Sequence, residues 1–203
     1  MQQRAPLTAR TSIKIAAITF VVLTAISVFV ILSLPKTYVA VTRIEAITKP
    51  VAVNEAQQGY GYFVQSEFEK IKSSAVLRRA YRELQQNPQF KNVARTRAPQ
   101  DDTVAARALL AGLELQQTRN TSLIEIRYSD RDPQNAPLVA NTIARAFADE
   151  SKLRGSSEVK IIDLARLPAR PASPNVPLLL VIATILNLLL AIMAGFFASN
   201  LFR

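Results

Sequence analysis

Two long stretches without a single charge bracket everything acidic in this chain of 203 residues. Lys14 and Lys36 enclose 21 uncharged positions, 15 to 35, and Arg170 and Arg203 enclose 32 more, 171 to 202, while all 15 acidic residues fall between the two stretches. The first contains a run from Ile15 to Leu34 dominated by Ile, Val, Leu, Phe and Ala. As a helix rising about 1.5 Å per residue, that run matches the roughly 30 Å hydrocarbon core of a bilayer. It is too long for the apolar region of a cleaved signal peptide, about 7 to 15 residues, and no small-x-small cleavage site precedes Pro35. The second run starts at Pro177, where a helix tolerates proline because first-turn amides have no intrahelical acceptor. The sequence therefore predicts transmembrane helices over 15–34 and 177–199, with tails at 1–14 and 200–203.

Two spans put both tails on one side. The first tail carries Arg4, Arg10 and Lys14 and no acidic residue, which favours the cytoplasm for the tails and the far side of the membrane for everything between the spans. In the second span Ala191, Gly195 and Ser199 recur every four residues, a small-residue stripe that lets another helix approach closely. Asn187 near mid-span is costly against lipid and predicts a hydrogen bond to another helix or a polar cavity, as structural glue rather than an ion path.

Positions 35–166 are long enough for one modest core. Tyr38 to Ile47 reads as a strand, and Tyr62 to Gln86 as two helices divided at Ser73 and Ser74, after a turn-prone stretch through Asn54 and Gly59. Asn87 to Pro99 reads as a basic linker, and Asp101 or Asp102 as the cap of a short helix ended by Gly112. Leu113 and Leu115, then Ile124, Ile126 and Tyr128, alternate with polar residues, the pattern of a β-hairpin with one buried face. Asp132 and Pro133 predict a cap and first turn for a helix that buries Val139, Ile143, Ala146, Phe147 and Leu153. After a turn at Gly155-Ser156-Ser157, the apolar run Val159 to Leu164 suits a strand buried on both faces. The order β, α, α, α, β, β, α, β makes the fold class α+β, a mixed α/β domain flanked by two transmembrane helices. Pro168, Pro171, Pro174 and Pro177 follow at intervals of three, the repeat of a polyproline II helix, and predict a stiff strut over 167–176.

The chemistry is restricted. With no cysteine and no histidine there is no disulfide scaffold, no thiolate metal site, and neither the commonest general base nor the commonest metal ligand. No phosphate-binding loop occurs among the five glycines, and Gly59-Tyr60-Gly61-Tyr62 reads as a turn. The close carboxylates Asp101-Asp102 and Asp130/Asp132 sit where caps and turns use aspartate. Catalytic residues, metal ligands and cofactors are all expected to be none. The chain carries 25 basic residues; removing three before the first span and one after the second leaves 21 against 15 acidic, so the middle domain is about +6. Nothing interleaves aromatic with basic residues in the way a nucleic-acid surface would want, so a nucleic-acid partner is not expected.

A series of weak motifs in order resembles the polysaccharide co-polymerases, the bacterial chain-length determinant (Wzz-type) family. They are Pro35, Tyr38 and Ala40 after the first span; Phe63-Val64-Gln65-Ser66-Glu67 leading through Ile71 and Ser73 to Val76-Leu77; Leu123-Ile124-Glu125-Ile126 with Asp132, Pro133, Ala136 and Asn141; Val159-Lys160-Ile161-Ile162-Asp163; and Pro171-Ala172-Ser173-Pro174 before the second span. The resemblance covers nearly the whole chain. It implies an inner-membrane protein with a periplasmic domain that forms homo-oligomers and regulates polysaccharide chain length beside a polymerase or exporter, without enzymatic activity. Edge strands and the helices carrying Phe68 and Leu77 become candidates for subunit contacts, and the small-residue stripe for helix contacts. Two departures stand out. The family's long helical extension between the segments ending near Lys152 and starting near Val159 is absent, and no kinase domain follows the second span, so a tyrosine kinase partner would be a separate chain. The same topology also fits a two-span extracytoplasmic sensor, which needs an output module, or a small channel subunit, which needs a charge ring or filter.

Overall fold

The computed structural model describes residues 9–47, 56–93, 101–118, 121–155 and 157–201. The chain divides into two compact units, one made of its two ends, residues 1–36 and 173–203, and one of residues 37–172.

The terminal unit is a pair of long helices, α1 (Ala9–Ser33) and α7 (Val176–Leu201). Both hold windows long and apolar enough to cross a membrane, Ile13–Ser33 and Val176–Ala198. Pro177 lies in the first turn of α7, as its sequence position predicts.

The central unit is built on a four-stranded sheet of order β2-β3-β1-β4, with every neighbouring pair antiparallel. Its strands are β1 (Tyr38–Ile47), β2 (Leu113–Gln117), β3 (Leu123–Asp130) and β4 (Glu158–Asp163). In β1 the alternation puts Ala40, Thr42, Ile44 and Ala46 inward, and in β3 it does the same for Ile124, Ile126 and Tyr128. Helix α6 (Asn135–Arg154) packs on β1, β3 and β4, burying Val139, Ile143, Ala146 and Phe147. α3 (Ser74–Gln86), whose Val76, Leu77, Ala80, Tyr81 and Leu84 are buried, packs on α6 and on α5 (Asp102–Gly112), α5 also meets β3, and α2 (Ala56–Lys72) lies against α3 and α6. The result is a mixed α+β unit with a single core.

The division between α2 and α3 is where the sequence places it: Ser73 is extended, and its hydroxyl accepts a hydrogen bond from the Val76 amide. Asp101 caps α5, accepting from both the amide and the hydroxyl of Thr103 at 2.8 Å, and these bonds lower its pKa. Gly112 is the last residue of α5 and is closely packed: an added Cβ would lie 2.8 Å from the Ser129 carbonyl oxygen and 3.0 Å from the Tyr128 ring. Gly155 ends α6 in the left-handed conformation, φ 59°, where a side chain would be strained.

Several expectations are corrected. The segment read as a linker after Asn87 contains a short helix, α4 (Pro88–Val93); Asn87 Oδ1 accepts the Gln89 amide, and Pro88 takes a first-turn position. The remainder of that linker, 94–99, lies outside the described residues, as do Asn54 and Ser156. Gly59 and Gly61 belong to α2 rather than to a turn. Asp132 and Pro133 lie just before the first residue of α6, Asn135, yet Asp132 receives the incoming turn as a cap does, its carbonyl accepting the Ala136 amide at 3.3 Å. Asp132 Oδ1 accepts the Gln134 amide in a local turn, and Gln134, the residue at the helix's N-terminal boundary, makes no side-chain cap bond. Leu153 is exposed, not part of the buried stripe. β4 is an edge strand with alternating exposure, not one buried on both faces.

Candidate functional site

Four places gather polar side chains that the fold has to position, and they are the candidates for function. The first is a latch around Asn141, on the face of α6 that meets β1. Its Oδ1 accepts from the Thr42 hydroxyl at 2.7 Å and from the Ala165 amide at 2.8 Å, while its Nδ2 donates to the Ala165 carbonyl at 3.1 Å. The side-chain amide thus stands in for a strand partner of Ala165, just beyond β4. Further along, the Ala172 amide donates to the Thr37 carbonyl at 2.8 Å, so the segment between 165 and 172 is held to its own domain at both ends.

That segment carries two of the four prolines of the expected strut. The backbone bends at Ala169 and Arg170, between Pro168 and Pro171. Pro168, Pro171, Pro174 and Pro177 therefore do not continue one straight polyproline II rod. The periodicity is present in the sequence, but backbone hydrogen bonds to the domain and a helical first turn at Pro177 override it.

The second place is the seam of the α1–α7 pair. Asn187, Ala191 and Gly195 are buried there, whereas Phe29 of α1 and Phe196 of α7 are exposed. Asn187 Nδ2 donates to the Ser27 hydroxyl at 3.0 Å, 160 positions away in the chain. The hydroxyl of Thr24, one turn before Ser27 on α1, is buried without a partner. Two members of the small-residue stripe, Ala191 and Gly195, are thus used within the chain's own helix pair. The side chain of Ser199 lies outside the described part.

A cleft of about 690 Å³ is the third place, lined by Arg78, Arg79 and Arg82 of α3, Asp102 of α5, and Asp149 and Glu150 of α6. Arg79 reaches Asp149 at 3.0 Å and Glu150 at 3.8 Å, Arg82 reaches Asp102 at 3.9 Å, and Arg154 reaches Glu150 at 2.8 Å. Asp102, Asp149 and Glu150 each face an arginine, so these ion pairs tie three helices together across the cleft, which Glu83 of α3 also lines. The fourth is Glu67 of α2, fully buried, whose carboxylate accepts from Lys70 at 2.7 Å and from Ser157 at 3.2 Å.

Around Asp130 the polar groups are local. Asp130 accepts from the Asp132 amide and from Asn135 Nδ2, and the neighbouring Tyr128 hydroxyl is pushed up to about 12 by burial, with a further contribution from the Asp130 charge. Among the described residues no three carboxylates converge as metal ligands would. The arrangement is one of latches and seams, which hold elements in place and present surfaces.

Thr42, Ser27 and Glu67 were missed as structural partners in the sequence. Thr42 carried a readable signal, a hydroxyl in the inward register of a strand otherwise lined by Ala40, Ile44 and Ala46. Ser27 carried none, because its partner is set by how two distant helices meet.

Compared with models of known protein families, the chain matches none, and no curated protein matches it.

Proposed function

We propose that the chain is a membrane scaffold of the polysaccharide co-polymerase type. In this reading α1 and α7 span the bacterial inner membrane, the α+β unit stands in the periplasm, and homo-oligomers organise a polysaccharide polymerase or exporter and so set the length of its product. The observation that carries the reading is the pairing of two helices with apolar exteriors, which in sequence precede and follow a domain whose polar side chains are latched to one another. Such a build suits a part that works by holding and presenting, and no chemistry has to be assigned to it. The motif order from Pro35 through Asn141 to Pro174 supplies the polysaccharide context, and the basic residues at Arg4, Arg10 and Lys14 supply the orientation.

The test is deletion of the gene followed by gel analysis of the size distribution of the cell's surface or secreted polysaccharide, with complementation by the wild-type chain. A modal length that shifts or disappears on deletion and returns on complementation is the expected result. An unchanged distribution overturns the polysaccharide reading.

A further inference from the structure

The sheet ends in two edges that fit each other. All neighbouring strands are antiparallel and their number is even, so β2 at one edge and β4 at the other run in opposite directions. Among the described residues neither edge has a further strand beside it, which leaves alternate backbone N–H and C=O groups on each pointing outward. β2 of one copy can therefore lie beside β4 of the next and continue the antiparallel pattern.

One register satisfies both faces. Placing Glu114 opposite Lys160 puts Leu113 opposite Ile161, Leu115 opposite Val159, and Gln116 opposite Glu158. The four apolar residues are the half-buried margins of the core, all on the inward face, while Glu114, Gln116, Glu158 and Lys160 are exposed on the outer face. On the inward face the apolar rows then run on without a break, because Leu115 already neighbours Ile126 and Val159 already neighbours Ala46 within each copy. On the outer face Glu114 already sits opposite Arg127 and Lys160 opposite Glu45. Across the junction the order becomes Arg127, Glu114, Lys160, Glu45, with charge alternating at every step. Pairing β4 with β4 in full overlap does the reverse, setting Glu158 against Asp163 and inward residues against outward ones, a mismatch that a side-chain period of two forbids.

The geometry points to a head-to-tail interface in which β2 of one copy pairs with β4 of the next, the partner being a second copy of this chain. Such an interface is heterologous and grows into rings or open chains, since two paired copies still leave one β2 edge and one β4 edge for further copies. The inference rests on the oligomeric part of the co-polymerase reading for its setting, but its test does not depend on polysaccharide.

The native chain has no cysteine, so Gln116→Cys and Glu158→Cys introduced together supply the only thiols. Both positions are exposed. Mild copper-phenanthroline oxidation of membranes holding the full-length double variant is expected to give a ladder of dimers, trimers and larger species on a non-reducing gel, collapsing to monomer on reduction. Mixing the two single variants should stop at dimers. A folded double variant that gives no ladder overturns the interface, as does a dimer formed by the Glu158→Cys variant alone, which would mean that β4 pairs with itself. A ladder in a strain whose polysaccharide length ignores the gene would keep this interface and retire the co-polymerase reading. The opposite pair of results would do the reverse.

Discussion

The two units of this chain follow opposite rules of burial. In the α+β unit Phe147 is 1% exposed and Ile44 fully buried, while Arg43 and Glu114 face outward. In the helix pair Phe29 is 73% exposed and Phe196 64%, while Asn187 is 5% exposed beside the buried Ala191 and Gly195. Water outside the domain drives its large apolar side chains in. Around the pair, the exposed Leu, Ile and Phe need an apolar surrounding. Lipid is that surrounding in the proposed reading, and lipid leaves polar groups and close backbone approach as the attractions that hold helices together. The chain teaches that what a residue contributes depends on the solvent its element meets: a phenylalanine is core in one unit and exterior in the other.

The largest effects should separate the two units most sharply. Replacing Phe147 with Ala removes a fully buried ring from the centre of α6 and is expected to cost about 3 to 5 kcal/mol in chemical denaturation of the central unit's fluorescence or circular dichroism signal. The same change at Phe29 should leave both the helix pair and the domain folded in detergent. Equal losses at the two positions would break the contrast.

Next in size is the latch. Asn141→Ala leaves the Thr42 hydroxyl and both backbone groups of Ala165 without their partner, at an expected cost of about 2 to 3 kcal/mol. Hydrogen exchange should also rise at the Ala165 amide more than at the centre of β1. Uniform protection across both positions would mean that the latch does not hold the segment after β4.

The parts legible in the sequence are those decided by local periodicity. The hairpin of β2 and β3, strand β1 and the split at Ser73 follow from alternation, helical spacing and a capping hydroxyl, all contained within a few residues. β4 was misread because Val159 to Leu164 is apolar in composition; its place at the edge depends on which strands pair, something no window of six residues holds. α4 was misread because Pro88 signals a break as readily as a first turn, and Asn87 decides between them. In the candidate site, Asn187 was legible as an expensive polar group needing a partner, but Ser27 could not be chosen from 160 positions away. Asn141 stood out through resemblance, and its bonds to Thr42 and Ala165 emerge only once α6 lies on β1.

A smaller effect, confined to alkaline solution, belongs to the domain alone. Burial and the Asp130 charge raise the Tyr128 hydroxyl from its ordinary value of 10 to about 12. Between those values the folded state keeps a proton that the unfolded state has lost, so stability from this group is fully present below pH 10 and falls as the pH rises toward 12. Denaturation midpoints should fall more steeply over that range in the native chain than in Tyr128→Phe. Parallel pH curves would show that this tyrosine does not contribute to the alkaline loss.

The smallest expected effect sharpens the comparison at its least obvious point. In the helix pair Asn187 is the inside residue, and its bond to Ser27 competes with whatever partners the separated helices find in the same environment, which holds such bonds to about 0.6 kcal/mol on average and about 1.7 at most. Asn187→Ala should therefore weaken the pairing of α1 and α7 only slightly. Ala191→Leu, which places a large side chain in the seam where the backbones come close, should weaken it more, although by ordinary hydrophobicity it adds apolar surface. Energy transfer between labels on the two helices in detergent or bilayers reads both variants. If Leu at 191 tightens the pair, the helices obey the same rule as the domain core, and the inversion between the two units fails.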